Sequence, residues 1–434
     1  MRAADARVDG ASLSVFRFAL GMAGFVGACR YMAYGWLQTL YVEPRAFLAW
    51  PGLEWLPHLP GRWMVLHYLA LALSALALAF GWRSRLSAAV FCLLFSWVEA
   101  IDQTNYLNHY YFISLVSFLL VWLPSGGAWN LDRRPEPVPA WAIGLLRFQV
   151  GVVYAFAGIA KLEADWLLRG EPLFTWMGAH SDWPLVGGLF LHRELAVAMS
   201  VAGCLFDLGI VPLLLWRRSR ALAYGLVLVF HVATGAMLNI GIFPLIMMGL
   251  TPIFFEPDWP WRLLSKLGIQ AREVDSASSL PMGAATRLCL GIWVLAQLII
   301  PLRHLAIPGD VRWTEEGWRF SWRVMLVEKR GWFRFRVDDP ASGQRWVVRP
   351  DQLLTERQLQ QASMNPQVIA QIARNVAKDF ASRGYPEARV YADAWCSMNG
   401  RPAQRLIDPS VDLAAVAIDW WGADPWIVPL ESGL

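Results

Sequence analysis

Residues 141–161 read WAIGLLRFQVGVVYAFAGIAK, an apolar run that ends on a lysine. A helix that crosses a bilayer needs about 20 consecutive, predominantly apolar residues, and this run has that length. Runs of similar character recur on both sides of it. Together they predict about nine spans, at 12–34, 63–81, 86–101, 107–123, 141–161, 197–216, 221–237, 239–254 and 284–302. We therefore expect an all-α polytopic membrane bundle in residues 1–302 and a C-terminal extracytoplasmic domain in residues 303–434.

Composition supports a membrane protein and excludes several other classes. Hydrophobic residues make up 56% of the 434 residues and charged residues 17%, whereas soluble domains average about 45–50% and about 25%. Such a composition excludes extensive disorder, and five cysteines exclude a disulfide scaffold. A net charge of +4, scattered along the chain, argues against a nucleic-acid partner.

Strand and turn signals replace the apolar runs beyond residue 303. Residues 313–350 alternate aromatic and charged side chains, which predicts strands joined by a turn at Asp338–Gly343. Two helices are expected next, the second with Asn365 as its N-cap. A second hairpin should turn at Asn399–Gly400. These elements predict a polar α/β domain tethered to the last span.

The distribution of Arg and Lys between the loops predicts the orientation. With the N-terminus in the cytoplasm, the inner loops carry twelve Arg and Lys residues and the outer loops carry five. Nine spans then place the C-terminal domain outside the cytoplasm, in a periplasm or a lumen. Cys396 is the only cysteine of that domain, so no disulfide is expected within it.

Two polar stretches are candidate functional sites, because polar groups are costly inside a membrane. Residues 102–111 enter the fourth span from outside, and residues 156–166 leave the fifth span toward the outside. Lys161 lies about 20 residues, or about 30 Å of helix, from the inner end of its span. Both stretches fall at the same outer depth, and the short connections predict that they face each other.

Lys161 has two interpretations. Its amine could extend to the outer headgroups, or it could be desolvated, and a lysine that loses its proton on burial is a competent base. The small residues Ala157, Gly158 and Ala160 favour the second interpretation, because they let a neighbouring helix or a flat ligand approach closely.

The other polar residues near the spans also have two interpretations each. His109 could be a catalyst or a hydrogen-bonded interior histidine, and Asn108 could cap a helix or bind a ligand. The same alternatives hold for His231 and Asn239, around the seventh and eighth spans.

Acidic residues and metal motifs add little to the site. Glu163 and Asp165 could form an acid pair, but in a loop after a helix they are expected to be solvated. The chain has no HExxH, CxxC or GxxxxGK[ST] stretch, so no metal or nucleotide site is indicated.

Four stretches resemble the vitamin K-dependent γ-glutamyl carboxylase family, the group with the horizontally transferred transmembrane domain. They are TNYLNHYYFISLVSFLL (104–120), GIAKLEADWL (158–167), FHVATGAMLNIGIFP (230–244) and LIIPLRHLAIPGDVRWTEEGWRFSWRVML (298–326). The last stretch is the most specific. With the motifs SMNGRP and LIDPSVDLA of the tail, the resemblance covers nearly the whole chain.

The resemblance implies a membrane lyase, a vitamin K-dependent peptidyl-glutamate carboxylase. In that family a lysine deprotonates vitamin K hydroquinone, and O₂ converts the hydroquinone to the epoxide. The strong base formed on the way removes a γ-proton from a protein glutamate, to which CO₂ then adds. The expected cofactor is a reduced menaquinone or phylloquinone, with O₂ and CO₂ as co-substrates and no metal. The expected partners are the lipid bilayer and an exported glutamate-containing protein or peptide.

The resemblance also implies roles for particular residues. The family's catalytic lysine falls on Lys161, and its intramembrane histidine falls on His231. Its paired Asn-His, which contacts the hydroquinone, falls on Asn108 and His109. Lys161, His109 and His231 are thus predicted to be catalytic, and Asn108, His109 and Lys161 to bind the quinone. Residues of the C-terminal segment are further candidates for peptide binding, although charged strand faces are usually only solvated: Arg303, Glu315, Glu316 and Arg323.

The chain departs from the animal enzymes of the family in ways that keep alternatives open. Ala160 stands where they have a second lysine, cysteines for their extracytoplasmic disulfide are not apparent, and the tail is much shorter. One alternative is a quinol-oxidising or epoxidising membrane protein that does not carboxylate. Another is a non-enzymatic membrane protein, although the internal symmetry common in transporters is not visible.

Overall fold

A computed structural model describes residues 5–124, 128–131, 136–238, 240–269, 282–419 and 421–431. Asn239, one of the candidates above, lies outside the described residues. The helices account for most of the chain, and strands are concentrated in the C-terminal domain.

Seven helical segments among the described residues are long and apolar enough to cross a membrane. Two shorter apolar helices, Asn108–Trp122 and Phe243–Phe254, match the fourth and eighth predicted spans. The helices are α1 (Ala11–Ala33), α2 (Gly61–Ala79), α3 (Ser84–Ile101), α4 (Asn108–Trp122), α5 (Ala140–Ala160), α6 (Arg193–Leu215), α7 (Arg220–Met237), α8 (Phe243–Leu250) and α9 (Ala284–Ile299). A 3-10 turn extends α8 to Phe254, and another extends α9 to Ala306.

The ends of consecutive helices alternate between two sides of the bundle. On the side of the C-terminal domain, Gln103, between α3 and α4, donates a hydrogen bond of 2.8 Å to Gln371. On the opposite side, β1 (Arg7–Val8), before α1, pairs with β2 (Val138–Pro139), which leads into α5. The multi-pass membrane bundle is thus confirmed. The count of nine stays a prediction, because α4 has 15 residues, or about 22 Å of helix, against a bilayer core of about 30 Å.

The C-terminal domain is built on a four-stranded antiparallel sheet in the order β4-β3-β5-β6. The strands are β3 (Lys329–Asp338), β4 (Arg345–Val348), β5 (Arg389–Met398) and β6 (Gln404–Arg405). Two helices, α10 (Glu356–Ala362) and α11 (Pro366–Ser382), follow the first hairpin. The predicted turns are present: Asn399 and Gly400 have φ of 50° and 73°, and Asn365 caps α11 by accepting from Val368 N at 3.1 Å.

The predicted strand pattern is wrong for residues 313–327. This stretch follows a short helix (Val311–Thr314) and forms successive turns, with positive φ at Phe320, Trp322 and Met325. Its aromatic side chains are buried in loop conformations: Trp322 is 1% exposed and stacks on Tyr111 of the membrane bundle at 5.0 Å. The aromatic residues of this stretch are therefore buried because they insert between neighbouring elements, and their alternation with charged residues does not mark the two faces of a strand.

Candidate functional site

Lys161 forms a buried ion pair at the outer end of α5. Its Nζ lies 2.6 Å from Oδ2 of Asp207 on α6, and the two side chains are 7% and 5% exposed. Gly158 permits this approach, because a Cβ there would lie only 2.8 Å from the Leu208 side chain. The small residues before Lys161 thus bring a neighbouring helix close, as the sequence predicts. The amine does not extend to the headgroups.

Asp207 is the site residue that the sequence analysis missed. It is the one acidic residue in the interior of the sixth predicted span, so the rule that flags ionisable residues in membranes applies to it. Sequence alone does not reveal its partner, which lies 46 positions away. The pair has no net charge, which makes burial of both groups acceptable, but losing either partner would leave an isolated charge.

The Lys161–Asp207 pair lines a cavity of about 380 Å³ between α5, α6 and α7, which we call the lysine cavity. His231 is 2% exposed, and its Nε2 lies 2.9 Å from the Tyr154 hydroxyl on α5. The other ring nitrogen, Nδ1, has no hydrogen-bond partner among the described residues. Most of the remaining lining is apolar, and it includes Trp166, whose ring centroid lies 5.2 Å from the lysine amine.

Asn108 and His109 line a second and larger cavity of about 730 Å³, which we call the outer cavity. Asn108 is held by the Tyr106 hydroxyl at 3.0 Å and by the Arg323 carbonyl at 3.2 Å. Charged side chains also line this cavity, among them Arg30, Glu43, Glu356 and Arg357.

A wall common to both cavities separates His109 from His231. The wall consists of Ile240, Phe243, Val324 and Met325. The ring centroid of Phe243 lies 5.6 Å from that of His109 and 5.9 Å from that of His231. The two predicted polar stretches therefore approach the same wall from opposite sides, but they do not share one open pocket.

Glu163 and Asp165 are paired with basic and amide side chains, so the expectation that they are solvated is wrong. Asp165 accepts hydrogen bonds of 2.7 and 2.8 Å from Arg401 and one of 3.1 Å from Asn399. Arg312 lies 2.8 Å from Glu163 and 3.2 Å from Asp165. Burial opposes ionisation of Asp165, but the bonds from Arg401 and Asn399 lower its pKa to about 2. Burial raises the pKa of Glu163 to about 7, against the attraction of Arg312.

The four candidates for peptide binding make contacts within the protein. The Arg303 guanidinium lies over the Phe320 ring at 5.7 Å. Glu315 pairs with Lys329 at 3.0 Å, and Glu316 accepts from a backbone N–H at 2.6 Å. Arg323 contacts His304 at 2.7 Å. The contacts of Arg303 and Arg323 join the extension of α9 to the C-terminal domain, and those of Glu315 and Glu316 lie within that domain. The cavity beside Arg303, Glu315 and Glu316 measures only about 10 Å³.

The part of the chain that the structure describes contains neither a metal-binding cluster nor a disulfide. No group of three or more His, Cys, Asp or Glu residues is placed to hold a metal ion there. The five cysteines are free.

Comparison with protein families gives two matches that together span most of the chain. The model of the HTTM domain matches residues 6–259. The model of the vitamin K-dependent gamma-carboxylase lumenal domain matches residues 283–433. No solved structure is significantly similar to the chain.

Proposed function

Because the chain belongs to the vitamin K-dependent gamma-carboxylase family and carries both its HTTM domain and its lumenal domain, we propose that it is a membrane enzyme of the carboxylase type. The proposed reaction couples the oxidation of a vitamin K hydroquinone by O₂, which yields the epoxide, to the addition of CO₂ to a protein glutamate. The proposed orientation has a cytoplasmic N-terminus and a periplasmic or lumenal C-terminal domain. The buried Lys161–Asp207 pair in an apolar cavity carries the proposal.

The lysine cavity fits a flat apolar ring that bears hydroxyl groups. Its volume of about 380 Å³ lies within the range of about 300–1,000 Å³ of small-molecule sites. His231 Nδ1 is buried and has no partner among the residues that the structure describes, so it is available to hydrogen-bond a ring oxygen. Leu226 and Val229 line the cavity and are 44% and 67% exposed, so the cavity opens toward lipid. A lipid-soluble quinol could reach the cavity from the bilayer through this side.

In the proposed mechanism, Lys161 accepts the proton of a ligand hydroxyl. A bound hydroquinone would supply that hydroxyl and the electrons that O₂ takes up. An ammonium group cannot accept a proton, so in the reactive form the proton between Nζ and Oδ2, which lie 2.6 Å apart, rests on Asp207 and the amine of Lys161 is free. The pair is then uncharged before the transfer and carries one positive charge after it, so it stabilises an anion formed at the same place. Tyr154 orients the His231 ring through Nε2, and the apolar lining excludes water, which strengthens both interactions.

We assign the glutamate side chain to the outer cavity. The guanidinium groups of Arg30 and Arg357 line it and can attract a carboxylate. His109 and Asn108 lie at the wall between the cavities, so they reach a ring in the lysine cavity only when Phe243 moves aside. Under this proposal the wall is the place where the two half-reactions meet.

The decisive experiment supplies purified protein with reduced vitamin K, O₂, labelled bicarbonate and a glutamate-containing peptide. Epoxide and label in the peptide are measured for the wild type, for Lys161→Ala and for Lys378→Ala, a control on the exposed face of α11. We expect both products in the wild type and the control and neither in Lys161→Ala. Epoxide formed by Lys161→Ala would refute the role of the lysine.

A second function, quinol oxidation without carboxylation, is favoured by one observation. Phe243 and Met325 lie between the lysine cavity and the charged outer cavity and line both. This alternative predicts lysine-dependent epoxide without label in any peptide. The same assay therefore distinguishes the two functions.

A further inference from the structure

One face of the sheet in the C-terminal domain is not covered by other parts of the described chain. Helix α11 packs on the other face, where the inward residues of β3 and β5 form the domain core. On the open face, alternate residues of β3 are exposed: Arg330, Trp332, Arg334 and Arg336. Trp332 is half exposed, at 50%.

The neighbouring strands continue the same composition across the sheet. Trp332 pairs with Trp395 of β5, and Arg336 pairs with Tyr391. We call the whole set the arginine face: Arg330, Trp332, Arg334, Arg336, Arg345, Arg389, Tyr391, Trp395 and Arg405.

The arginine face carries more positive charge than its own carboxylates balance. It has six arginines and no lysine, and among the residues that the structure describes only three carboxylates contact these arginines. Asp393 is shared by Arg334 and Arg405, at 3.0 and 3.7 Å. Asp338 is shared by Arg336 and Arg345, at 3.3 and 3.6 Å. Each shared carboxylate leaves one of its two arginines able to bind another anion.

The aromatic residues of the face hold the guanidinium groups in place. Arg336 lies over the Tyr391 ring at 4.5 Å, and Arg405 lies over the Trp395 ring at 4.9 Å. A guanidinium stacked in this way keeps its N–H groups available and is already ordered for bidentate binding of a carboxylate. An exposed charged face that serves only solubility has no need of two paired tryptophans, whereas Trp, Tyr and Arg are enriched in binding interfaces.

The arginine face begins close to the lysine cavity. Glu328, directly before β3, pairs with Arg330 at 3.1 Å and accepts a hydrogen bond of 2.8 Å from Trp176 Nε1. Trp176 lines the lysine cavity. A chain lying along β3 would therefore run between the outer part of the domain and the site where chemistry is proposed.

We propose that the arginine face binds acidic, extended segments of polypeptide. Alternate residues of an extended chain lie about 6.8 Å apart on one side, as do the alternating arginines of β3, so side-chain carboxylates can meet them in register. The identification of this polypeptide as the glutamate-rich substrate rests on the proposed function. Binding itself requires no reaction.

The test measures binding of a labelled peptide by fluorescence anisotropy. The peptide has ten residues, as β3 does, and alternates Glu and Ala; a Gln–Ala peptide is its neutral control. Full-length protein is used in nanodiscs of neutral lipid, without quinol or CO₂. The variant Arg330→Gln/Arg334→Gln/Arg336→Gln is compared with Arg349→Gln/Arg383→Gln, which removes exposed, ion-paired arginines elsewhere in the domain.

We expect the triple variant to bind the acidic peptide about tenfold more weakly, because each exposed charge contact contributes modestly. The control variant should bind the acidic peptide like the wild type. Added salt should weaken binding to the wild type and to the control variant. The near-UV circular dichroism of each variant shows whether the domain is intact. If the triple variant is not folded, Arg334→Lys/Arg336→Lys replaces it, and we expect this variant to lose less affinity for the acidic peptide.

Three results would overturn the proposal. The first is equal binding of the Gln–Ala and Glu–Ala peptides, and the second is equal affinity of the triple and control variants for the acidic peptide. The third is a triple variant that loses binding to phosphatidylglycerol vesicles but keeps its affinity for the acidic peptide. The last result would assign the face to anionic lipid. Because the assay needs no turnover, an inactive protein that binds the acidic peptide would refute the proposed function and leave this inference standing.

Discussion

The junction between the membrane bundle and the C-terminal domain depends on Asp165, and Asp165→Asn should destabilise the protein strongly. The carboxylate is 2% exposed and accepts hydrogen bonds from Arg401 and Asn399. Arg312 contacts it as well, at 3.2 Å. An amide keeps the shape of the side chain but removes the charge, so Arg401 would lose its only carboxylate partner among the described residues.

Two arguments give similar magnitudes for this loss. The pKa of Asp165 is lowered from 3.8 to about 2, and a shift of about two units corresponds to about 2.5 kcal/mol at pH 7. Removing one partner of a buried ion pair costs about 3–5 kcal/mol. Arg312 keeps contacts with Glu163 and Asp310, so we expect the lower end of that range, about 3 kcal/mol.

The sign of the pH dependence follows from the lowered pKa. A carboxyl group whose pKa is lower in the folded state stabilises the protein above the pKa of the unfolded state, 3.8. That contribution is lost as the pH falls through the folded value of about 2. The difference between the wild type and Asp165→Asn should thus be constant from pH 7 to about pH 5 and shrink toward pH 3.

Thermal unfolding in detergent, followed by near-UV circular dichroism of the tryptophans, measures this difference at pH 7, 5 and 3. A loss of about 3 kcal/mol should lower the melting temperature by about 3 °C, because unfolding a chain of 434 residues at about 2.1 cal/mol/K per residue has an entropy of about 0.9 kcal/mol/K. Asp351→Asn, which removes an exposed partner of Arg349, is the control and should change it little. A melting temperature for Asp165→Asn equal to that of the control at pH 7 would refute the assignment of the junction.

Three further predictions concern the site and its surroundings. Asp207→Asn should lower the rate of quinol epoxidation by about 10²-fold with partial recovery in Asp207→Glu, because Lys161 loses the carboxylate that takes up its proton and frees the amine; a wild-type rate would contradict this. Tyr154→Phe should raise the KM for hydroquinone about fivefold, the equivalent of one hydrogen bond, with a smaller change in kcat, because His231 loses its orienting contact; steady-state kinetics decide. The pKa of Glu163 is raised to about 7, so this group contributes stability that is fully present below pH 4.5 and is lost as the pH rises through 7. The wild type should therefore have a lower melting temperature at pH 8 than at pH 5. Glu163→Gln should remove most of this change of melting temperature with pH.

The features that the sequence predicted correctly are those set by local chemistry. Each predicted span contains a described helix, because a long apolar run has few alternatives to a membrane helix. The turn at Asn399–Gly400 and the cap at Asn365 follow from side chains that suit those backbone positions. An ionisable residue at the end of an apolar run is visible in the sequence, and the structure places this one, Lys161, in a buried ion pair; its catalytic role stays a prediction.

The features that the sequence could not predict depend on contacts between distant residues. The pairing of Lys161 with Asp207 and that of Asp165 with Arg401 join helices and domains that are far apart in the chain. Residues 313–327 show the same limit in another form. An alternation of aromatic and charged residues has the period of a strand, but where the aromatic residues are buried depends on what lies next to them.

That misassigned stretch explains why the C-terminal domain is part of the site and not an attachment to it. Trp322 belongs to the core of the membrane bundle, and the Arg323 carbonyl accepts the hydrogen bond of Asn108. The next two residues, Val324 and Met325, line both the lysine cavity and the outer cavity. Any displacement of Met325 therefore changes both cavities at once. Because β3 begins three residues after Leu326, a short segment of backbone connects the arginine face to this wall, beside the contact of Glu328 with Trp176. A polypeptide bound to the face can therefore act on the lysine cavity through both.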